Sequence, residues 1–434
     1  MTSLNSVENN VLRLGVAGLG NVGVGLIKLV QGQSALRLPG RVTVSGVTAR
    51  SRTRDRGVDI SDYRWLDDPV ELATSDDVDV FVELIGGSDG PARRSVEAAL
   101  KAGKHVVTAN KALIAERGFE LAQLAEDMGV NLLFEAAVAG GIPIVRAMRD
   151  SLSGVDVTRV AGILNGTCNY ILSQMLETGA AYEGVLADAQ RLGYAEADPY
   201  LDVSGMDAAH KAAILATIAF GARPDFSMVR VKGIDQISDL DIALAAKLGY
   251  RIRLIAEAER SGGDVRCFVA PKLFPVDHPL AQVTGPTNAV LVEGDPVGRL
   301  TFTGPGAGEG PTAASVMGDI SRVLQGGATA PYGLPTGLLE ARFSKPTGEG
   351  APTRWFLRTR LADRSGALAE VSNTLASAGV SIDKLLQDSG GDSGAAPLAI
   401  VTHACIRRMA EEAAERIGAL SVSIDAPRLL RIEA

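Results

Sequence analysis

Val11-Leu12-Arg13-Leu14-Gly15-Val16-Ala17 leads directly into Gly18-Leu19-Gly20-Asn21-Val22-Gly23, and an apolar-faced segment continues from there to Val30. This order predicts a strand, a glycine turn and a helix. Glycines spaced G-x-G-x-x-G allow a tight bend and close backbone approach, so a pyrophosphate can lie against the helix N-terminus. The chain has 49 glycines, so the strand–turn–helix context carries the interpretation, and the alternative is a merely glycine-rich turn. The predicted dinucleotide contacts are Gly18, Gly20, Asn21, Val22 and Gly23.

Segments with the same alternation follow. Strands are predicted at 42–47, 78–85, 105–108 and 131–134, and helices at 91–102 and 112–128. Strands that alternate with helices form a parallel, doubly wound sheet, which binds ligands at the carboxyl ends of its strands. The sequence therefore predicts a Rossmann-type α/β domain over residues 11–154. The loop after 105–108 carries Asn110 and Lys111, and Lys111 is either a ligand-facing group or an ordinary lysine at a helix start.

The end of the second strand bears on cofactor choice. An acidic residue at this point of a nucleotide-binding sheet would hold the ribose of NAD. This chain has Thr48-Ala49-Arg50-Ser51-Arg52 there, without an acid. Arg50 and Arg52 are placed to pair with a 2′-phosphate, which favours NADP. The alternative is a solvated basic turn.

The organisation changes after residue 154. A strand at 159–164 leads into Asn165-Gly166-Thr167-Cys168-Asn169-Tyr170, two helices follow, and alternating strands are predicted between about 228 and 302. This irregular order indicates an α+β domain, which we assign to residues 155–310 for catalysis and dimerisation. A second glycine loop at 303–312 opens a helix, expected at 311–330, that returns to the nucleotide domain. The alternative for this loop is a flexible hairpin end.

The chemistry is predicted in the segment 193–211, an acidic loop that runs into an apolar helix. Asp207 and Lys211 are four residues apart, so they lie on one helix face and can reach the same point. Together with the loop acids Glu196, Asp198 and Asp202 they suit a small zwitterionic substrate. Carboxylates bind its ammonium group, and a lysine can transfer a proton to its oxygen. The alternative is an exposed, weak ion pair.

The C-terminal part has a pattern of its own. Residues 343–353 have the glycine, proline and polar content of a linker. Over 354–434 the sequence predicts a strand at 355–361, a helix at 367–378, strands from 380 and at 398–404, and a helix at 409–417. Because this segment carries no catalytic constellation, we interpret it as a small, separate sensor domain. The alternative is a tail that only supports assembly.

Composition excludes several classes of protein. The chain of 434 residues is 46% hydrophobic and carries a net charge of −8 without a long basic run, which disfavours nucleic acid and anionic membranes as partners. Cys168, Cys267 and Cys405 are far apart and lack metal-ligand spacing, so disulfide scaffolds and zinc sites are not expected. Residues 1–10 lack the apolar core of a signal peptide, and no apolar run has the ~20 residues of a membrane span. We expect a cytoplasmic protein.

The motifs resemble those of homoserine dehydrogenase over residues 11–330, and residues 354–434 resemble an ACT domain, a ferredoxin-like unit. The stretches that carry the resemblance are Gly18-Leu19-Gly20-Asn21-Val22-Gly23, Thr108-Ala109-Asn110-Lys111, Phe134-Glu135-Ala136-Ala137-Val138-Ala139-Gly140-Gly141-Ile142-Pro143, Leu164-Asn165-Gly166-Thr167 and 193–211. The resemblance implies reversible, NAD(P)-dependent interconversion of L-aspartate 4-semialdehyde and L-homoserine, a step in threonine, methionine and isoleucine biosynthesis.

The resemblance also implies roles for individual residues. Lys211 is the general acid/base, and Lys111 serves both cofactor and substrate. Glu196, Asp202 and Asp207 contact the substrate, and Asp207 and Lys111 also belong to the catalytic group.

Further implied contacts concern the cofactor and an ion. Gly193 and Gly308 join the cofactor contacts. Glu309 stands where the family commonly has glycine, so we expect its carboxylate to point away from the cofactor phosphates. A sodium ion held mainly by backbone carbonyls is implied at Glu135, Val138, Gly140 and Ile142.

The mechanism follows from lysine chemistry. Hydride transfer to an aldehyde carbon puts negative charge on the oxygen, which Lys211 would protonate. A nearby cation and partial burial lower the pKa of a lysine, whereas Asp207 favours the charged form, and the sequence leaves the net direction open.

Two rival functions remain open at this point. One is oxidation or reduction of another small, amino-acid-like carbonyl; a phosphorylating variant needs a cysteine nucleophile and a histidine base, and no motif places a histidine near Cys168. The other is an inactive regulator, against which the intact lysine and carboxylate set argues.

The ACT-like segment implies regulation. Asp363-Arg364-Ser365-Gly366-Ala367-Leu368 resembles the loop with which ACT domains face a ligand. The expected effector is L-threonine as a downstream product, and because such units usually pair, the expected assembly is a homodimer or homotetramer.

Overall fold

The computed structural model describes residues 11–196, 198–345, 351–389 and 394–433. Residues 1–10, Ala197 and part of the predicted linker, 346–350, lie outside the described residues. The strands are β1 (Val11–Ala17), β2 (Arg41–Thr48), β3 (Arg64–Trp65), β4 (Val80–Glu83), β5 (His105–Thr108), β6 (Leu132–Leu133), β7 (Asp156–Ile163), β8 (Ala222–Arg223), β9 (Arg230–Val231), β10 (Tyr250–Ser261), β11 (Asp264–Pro275), β12 (Thr287–Asp295), β13 (Gly298–Pro305), β14 (Ala341–Ser344), β15 (Arg354–Ala362), β16 (Ile382–Gln387), β17 (Ala395–Thr402) and β18 (Arg428–Ile432). The helices are α1 (Asn21–Gln31), α2 (Pro69–Ala73), α3 (Pro91–Lys101), α4 (Lys111–Met128), α5 (Ile144–Arg146), α6 (Gly166–Thr178), α7 (Tyr182–Arg191), α8 (Tyr200–Val203), α9 (Met206–Phe220), α10 (Asp239–Lys247), α11 (Glu309–Leu324), α12 (Ala367–Ser377) and α13 (Arg407–Gly418).

The N-terminal sheet confirms the predicted doubly wound fold. Its strands are all parallel in the order β3-β2-β1-β4-β5-β6. The order reverses between β1 and β4, so their carboxyl ends open a crevice in which ligands bind in such sheets. The glycine turn follows β1 and begins α1. Among the described helices, none has the length and apolar character needed to cross a membrane.

Helix α11 packs on this sheet although it follows the second domain in the chain. Val316, Met317 and Ile320 lie in the same buried core as Leu26 and Ile27 of α1. The expected bounds of 311–330 were wrong, because the helix spans Glu309–Leu324. Positive φ angles of 83° and 77° at Gly326 and Gly327 follow its end, and such a backbone cannot continue a helix.

The chain segment that forms much of the second sheet also includes a helix that was not predicted. The segment predicted to hold only strands between 228 and 302 includes α10. Ser238 and Asp241 form a capping box, in which each side chain accepts a hydrogen bond from the backbone N–H of the other residue. This Ser-x-x-Asp pattern was a readable helix start.

The C-terminal domain has its own hydrophobic core, but its strands continue the sheet of the catalytic domain. The strand order is β13-β12-β7-β10-β11-β18-β15-β17-β16, so catalytic and C-terminal strands form one sheet. Strand β18, which the sequence analysis did not identify, pairs with β11 at Lys272↔Arg431 and Leu273↔Ile432. The predicted linker is also shorter than 343–353, because Phe343 lies in β14 and the backbone of Thr353 bonds Cys405.

Charged side chains reinforce this junction. Arg159 of β7 donates to Glu257 at 2.5 Å and to Glu433 at 2.7 Å, and Lys272 contacts both carboxylates as well. On the other side, Arg358 of β15 donates to the buried Asp241 of α10 at 2.7 Å. The C-terminal domain is therefore tied to the catalytic sheet by backbone and ionic contacts.

Candidate active site

Helix α9 supplies the centre of the site. Gly205 precedes it with a φ of 86°, a left-handed conformation that glycine adopts readily, and the helix is buried along almost its whole length. Lys211 Nζ lies 2.8 Å from Asp207 Oδ2, and the two side chains are 10% and 8% exposed. The alternative of an exposed ion pair is therefore wrong. A buried pair of this kind keeps its geometry because neither group can turn to water.

A second lysine arrives from the nucleotide domain. Asn110 caps α4 by accepting from the N–H of Leu113, and Lys111 is the first residue of that helix. Lys111 Nζ lies 2.8 Å from Asp207 Oδ1 and its side chain is 41% exposed. One carboxylate thus bridges two ammonium groups that come from different domains.

The charges of this triad are mutually supporting. Burial raises the pKa of Asp207, but Lys211 and Lys111 together outweigh it and hold that pKa below its usual range. Asp207 in turn raises the pKa of Lys111 above its ordinary value, against the effect of burial. Asp207 is therefore ionised and Lys111 protonated at neutral pH.

Two further residues orient this centre, Leu164 and Asn165. Both lie in a quoted motif, but neither was predicted to have a role of its own. The Lys211 ammonium donates to the backbone oxygen of Leu164 at 2.7 Å. The Asn165 amide donates to Asp202 at 2.7 Å and to Asp207 at 2.9 Å, while its oxygen caps α6. An ammonium has three N–H donors, so Lys211 keeps one beyond its bonds to Leu164 and Asp207. The position of Asn-Gly-Thr directly after a strand was the available signal.

The acidic loop borders the same place. Asp202 is half-buried, and burial raises its pKa. Glu196 is exposed, and its negative charge is among those that raise the pKa of Lys111. Asp198 is also exposed and accepts from the N–H of Tyr200. Gly193 lies in the loop just after α7 with a φ of 78°.

The glycine turn is as compact as the motif predicts. A Cβ on Gly18 would lie 2.3 Å from the backbone oxygen of Leu84, and one on Gly23 would lie 2.1 Å from that of Gly18. Gly20 faces open space, where a ligand can approach the backbone. Asn21 and Val22 begin α1.

The second glycine loop leads to a contact with α1, the helix that follows the first glycine turn. Gly308, with a φ of 114°, precedes α11. The Glu309 carboxylate pairs with Lys28 of α1 at 2.6 Å, and this pair accounts for the position of its side chain.

Arg50 and Arg52 are exposed in the loop after β2. A third arginine, which sequence reasoning missed, holds this loop to the glycine turn. Arg56 donates to the backbone oxygens of Leu19 at 3.3 Å and Arg54 at 2.7 Å, as well as to that of Ser51. The basic loop therefore lies beside the glycine turn.

The loop proposed for sodium has an unusual backbone. Ala139 and Gly140 are both left-handed, with φ of 53° and 49°. The Glu135 carboxylate accepts from the N–H groups of Val145 and Arg146, and burial together with Asp319 raises its pKa to about 7. Within the described residues no group of three or more histidine, cysteine, aspartate and glutamate side chains could hold a metal ion. Val138 and Ile142 flank the two left-handed residues.

Cys168 is unsuited to nucleophilic catalysis. Its thiol is fully buried and bonds the backbone oxygen of Asp202, and burial raises its pKa. A thiolate is the reactive form, so this environment opposes it. Cys168, Cys267 and Cys405 are all free and buried.

A nucleotide-binding sheet whose switch-point crevice leads to a lysine–carboxylate centre defines the class of protein: an NAD(P)-dependent oxidoreductase acting on a CH–OH group. Within that class, the chain belongs to the homoserine dehydrogenase family. The family model for homoserine dehydrogenase matches residues 143–321, its NAD-binding domain matches residues 18–135, and the ACT domain matches residues 355–422.

Relatives resemble most of the chain. Homoserine dehydrogenase of Mycobacterium bovis is 42% identical, with 96% of this chain and 97% of the relative covered. The crystal structure of a homoserine dehydrogenase from Thiobacillus denitrificans has a TM-score of 0.88 at 36% identity and covers 98% of each chain. A hyperthermophilic archaeal homoserine dehydrogenase in complex with NADPH has a TM-score of 0.63 at 26% identity, and covers 72% of this chain and 97% of the other.

Proposed function

We propose that the protein interconverts L-aspartate 4-semialdehyde and L-homoserine with NADP(H), and that Lys211 is its general acid/base. The carrying observation is the Lys211–Asp207–Lys111 centre, in which Asp207 and Lys211 are buried and each lysine lies 2.8 Å from one oxygen of the carboxylate. This arrangement fixes Lys211 in place and leaves one of its N–H groups for a substrate oxygen.

The residues divide the work as follows. The bound nicotinamide supplies the hydride. Lys211 donates a proton to the aldehyde oxygen as that oxygen gains negative charge, and takes it back in the reverse direction. Asp207 keeps both ammonium groups oriented, and the positive charge of Lys111 stabilises the developing alkoxide. Glu196 and Asp202 bind the substrate ammonium.

The decisive assay is NADP reduction with L-homoserine as substrate. Folded protein should produce NADPH at a rate that saturates with L-homoserine. Complete absence of turnover in protein that still binds nucleotide would refute the assignment.

The NADP preference is supported by the loop after β2. It offers Arg50 and Arg52 and no acid, and Arg56 holds it against the glycine turn. The archaeal neighbour with bound NADPH has the same overall fold in the shared part of the chain. Titration of both cofactors with the intact enzyme tests the preference.

The ACT domain carries the proposed regulation. L-Threonine binds near Asp363–Leu368 in a homodimer or homotetramer and favours a less active state. The loop between β15 and α12 is open to solvent, with Asp363 anchored by its N–H to the oxygen of Gly394. Activity measured against threonine concentration, with the oligomer mass followed in parallel, tests both statements.

We also propose a sodium ion in the loop around Ala139. Two successive left-handed residues turn neighbouring carbonyls in ways that regular structure does not, and such strained backbone is typical of ligand-holding loops. Glu135, Val138, Gly140 and Ile142 would hold the ion. Thermal unfolding in sodium compared with a large organic cation tests this assignment without any activity measurement.

A further inference from the structure

A cleft of about 730 Å³ lies where the C-terminal domain meets the catalytic sheet. One wall is formed by β9, the residue after it and β11, and the other by β18 and α13. Among its described lining residues are eight lysines or arginines and two glutamates. The cleft is therefore strongly basic, although the whole chain is acidic with a net charge of −8.

Part of this positive charge is neutralised by the protein. Arg407 donates to Glu411 at 2.6 Å, and Arg266 lies 4.0 Å from Glu259. Lys272 contacts two carboxylates of the domain junction. These pairs leave little attraction for a ligand.

Two more cations of the cleft are also paired, since Arg260 lies 2.9 Å from Asp156 and Arg431 lies 4.0 Å from Glu433. The remaining three cations, Arg230, Lys232 and Arg428, have no carboxylate partner within the described part of the chain. The side chains of Arg230 and Lys232 make no hydrogen bond or ion pair there. Arg428 bonds only the neutral amide of Gln236, at 2.9 Å. The Nε–H groups of Arg428 and Arg431 are buried without an acceptor. A buried donor left unpaired costs free energy, so these groups indicate a missing acceptor.

The electrostatic environment of Lys232 points the same way. Burial lowers its pKa, and the charges of Arg428 and Arg407 lower it further. Asp235 and Glu411 act in the opposite direction but more weakly, so Lys232 lies in a net positive potential. An anion placed between Lys232 and Arg428 would relieve that repulsion.

We propose that this cleft binds a small phosphorylated metabolite, with its phosphate held by Lys232 and Arg428. Guanidinium groups match phosphate oxygens in a bidentate manner, and lysine adds a compact charge. The volume suits a metabolite, and Val231, Leu429 and Trp355 provide apolar surface for the rest of the molecule. Because Lys232 belongs to the catalytic domain and Arg428 to the C-terminal domain, the ligand bridges the two.

The test uses the full chain saturated with NADPH, so that the phosphate contacts of the glycine turn are occupied. Binding of glycerol 3-phosphate is measured by calorimetry at constant ionic strength, with glycerol, citrate and sodium chloride as comparison solutes. The variant Lys232→Gln/Arg428→Gln should weaken glycerol 3-phosphate binding at least about tenfold, since two charge-assisted contacts are lost. The matched control Arg37→Gln/Lys101→Gln removes one exposed arginine and one exposed lysine elsewhere and should bind normally.

Several outcomes would overturn the proposal. These are unchanged binding in the cleft variant, equal loss in the control, or binding of citrate as tight as that of glycerol 3-phosphate. A fall in oligomer mass in the cleft variant, without phosphate binding by the parent protein, would instead assign the cleft to contacts between copies of the chain. If the double variant does not fold, Lys232→Gln alone decides, because within the described residues its ammonium supports no other contact.

Discussion

Replacing Lys211 with methionine removes the ammonium while keeping an unbranched side chain. If Lys211 is the proton donor, turnover should fall by about 10²–10⁴, which corresponds to roughly 2.7–5.5 kcal/mol of activation free energy. The stability change is smaller than for a typical broken buried pair. Asp207 keeps Lys111 at 2.8 Å and Asn165 at 2.9 Å, so only the bonds of Lys211 to Asp207 and Leu164 are lost. We expect a decrease of about 1–3 kcal/mol in the free energy of unfolding.

Steady-state NADP reduction, NADPH binding by fluorescence and urea unfolding separate these effects. Nucleotide affinity should be unchanged, because Lys211 makes no contact with the glycine turn. Lys101→Met, an exposed lysine on α3, serves as the control. Near-normal turnover in Lys211→Met would refute the reasoning. If Lys111→Met showed the large loss instead, the proton transfer would belong to Lys111.

Three further predictions follow from the same contacts. Arg50→Ala should weaken NADP binding by about 1.5–3 kcal/mol and spare NAD, whereas equal losses in a titration of both cofactors would exclude a contact with the 2′-phosphate. Asp363→Ala in the full chain should abolish threonine inhibition without lowering basal activity; unchanged inhibition curves would exclude this loop as the effector site. The pKa of Glu257 is lowered to about 2, because Lys272 and Arg159 outweigh the opposing effect of burial. The ionised Glu257 carboxylate therefore stabilises the fold above its ordinary pKa of 4.5. This contribution to stability is lost as pH falls from 4.5 towards 2. Urea unfolding at stepwise lower pH should show this loss in the parent chain and a flatter profile in Glu257→Gln, and parallel profiles would contradict it.

Sequence reasoning succeeded where spacing alone fixes geometry. Helical periodicity placed Asp207 and Lys211 on one face, and the structure brings them together. It could not predict that Lys111 would share the same carboxylate, because that contact joins residues almost a hundred positions apart. Sequence reasoning also missed the roles of Leu164 and Asn165. Leu164 acts through its backbone oxygen, which leaves no trace in the type of side chain.

The errors in the fold have similar physical causes. Helix α10 is short, and its apolar residues resemble those of the flanking strands, so only the capping box distinguished it. Strand β18 is five residues long and completes its hydrogen bonds with strands from two domains. Local pattern carries little information about such a partner, since β-propensity reflects surroundings as much as sequence.

The position of β18 in the chain matters during protein synthesis, because a strand from the interior of the sheet is made last. This strand lies between β11 and β15, yet the ribosome makes it after every other strand of that sheet. Until it emerges, the neighbouring edges of β11 and β15 both present unpaired backbone groups, which are templates for pairing with other chains. Nascent or C-terminally damaged molecules are therefore the form of this protein most exposed to aggregation. Chaperones that shield strand edges would act on them rather than on the finished enzyme.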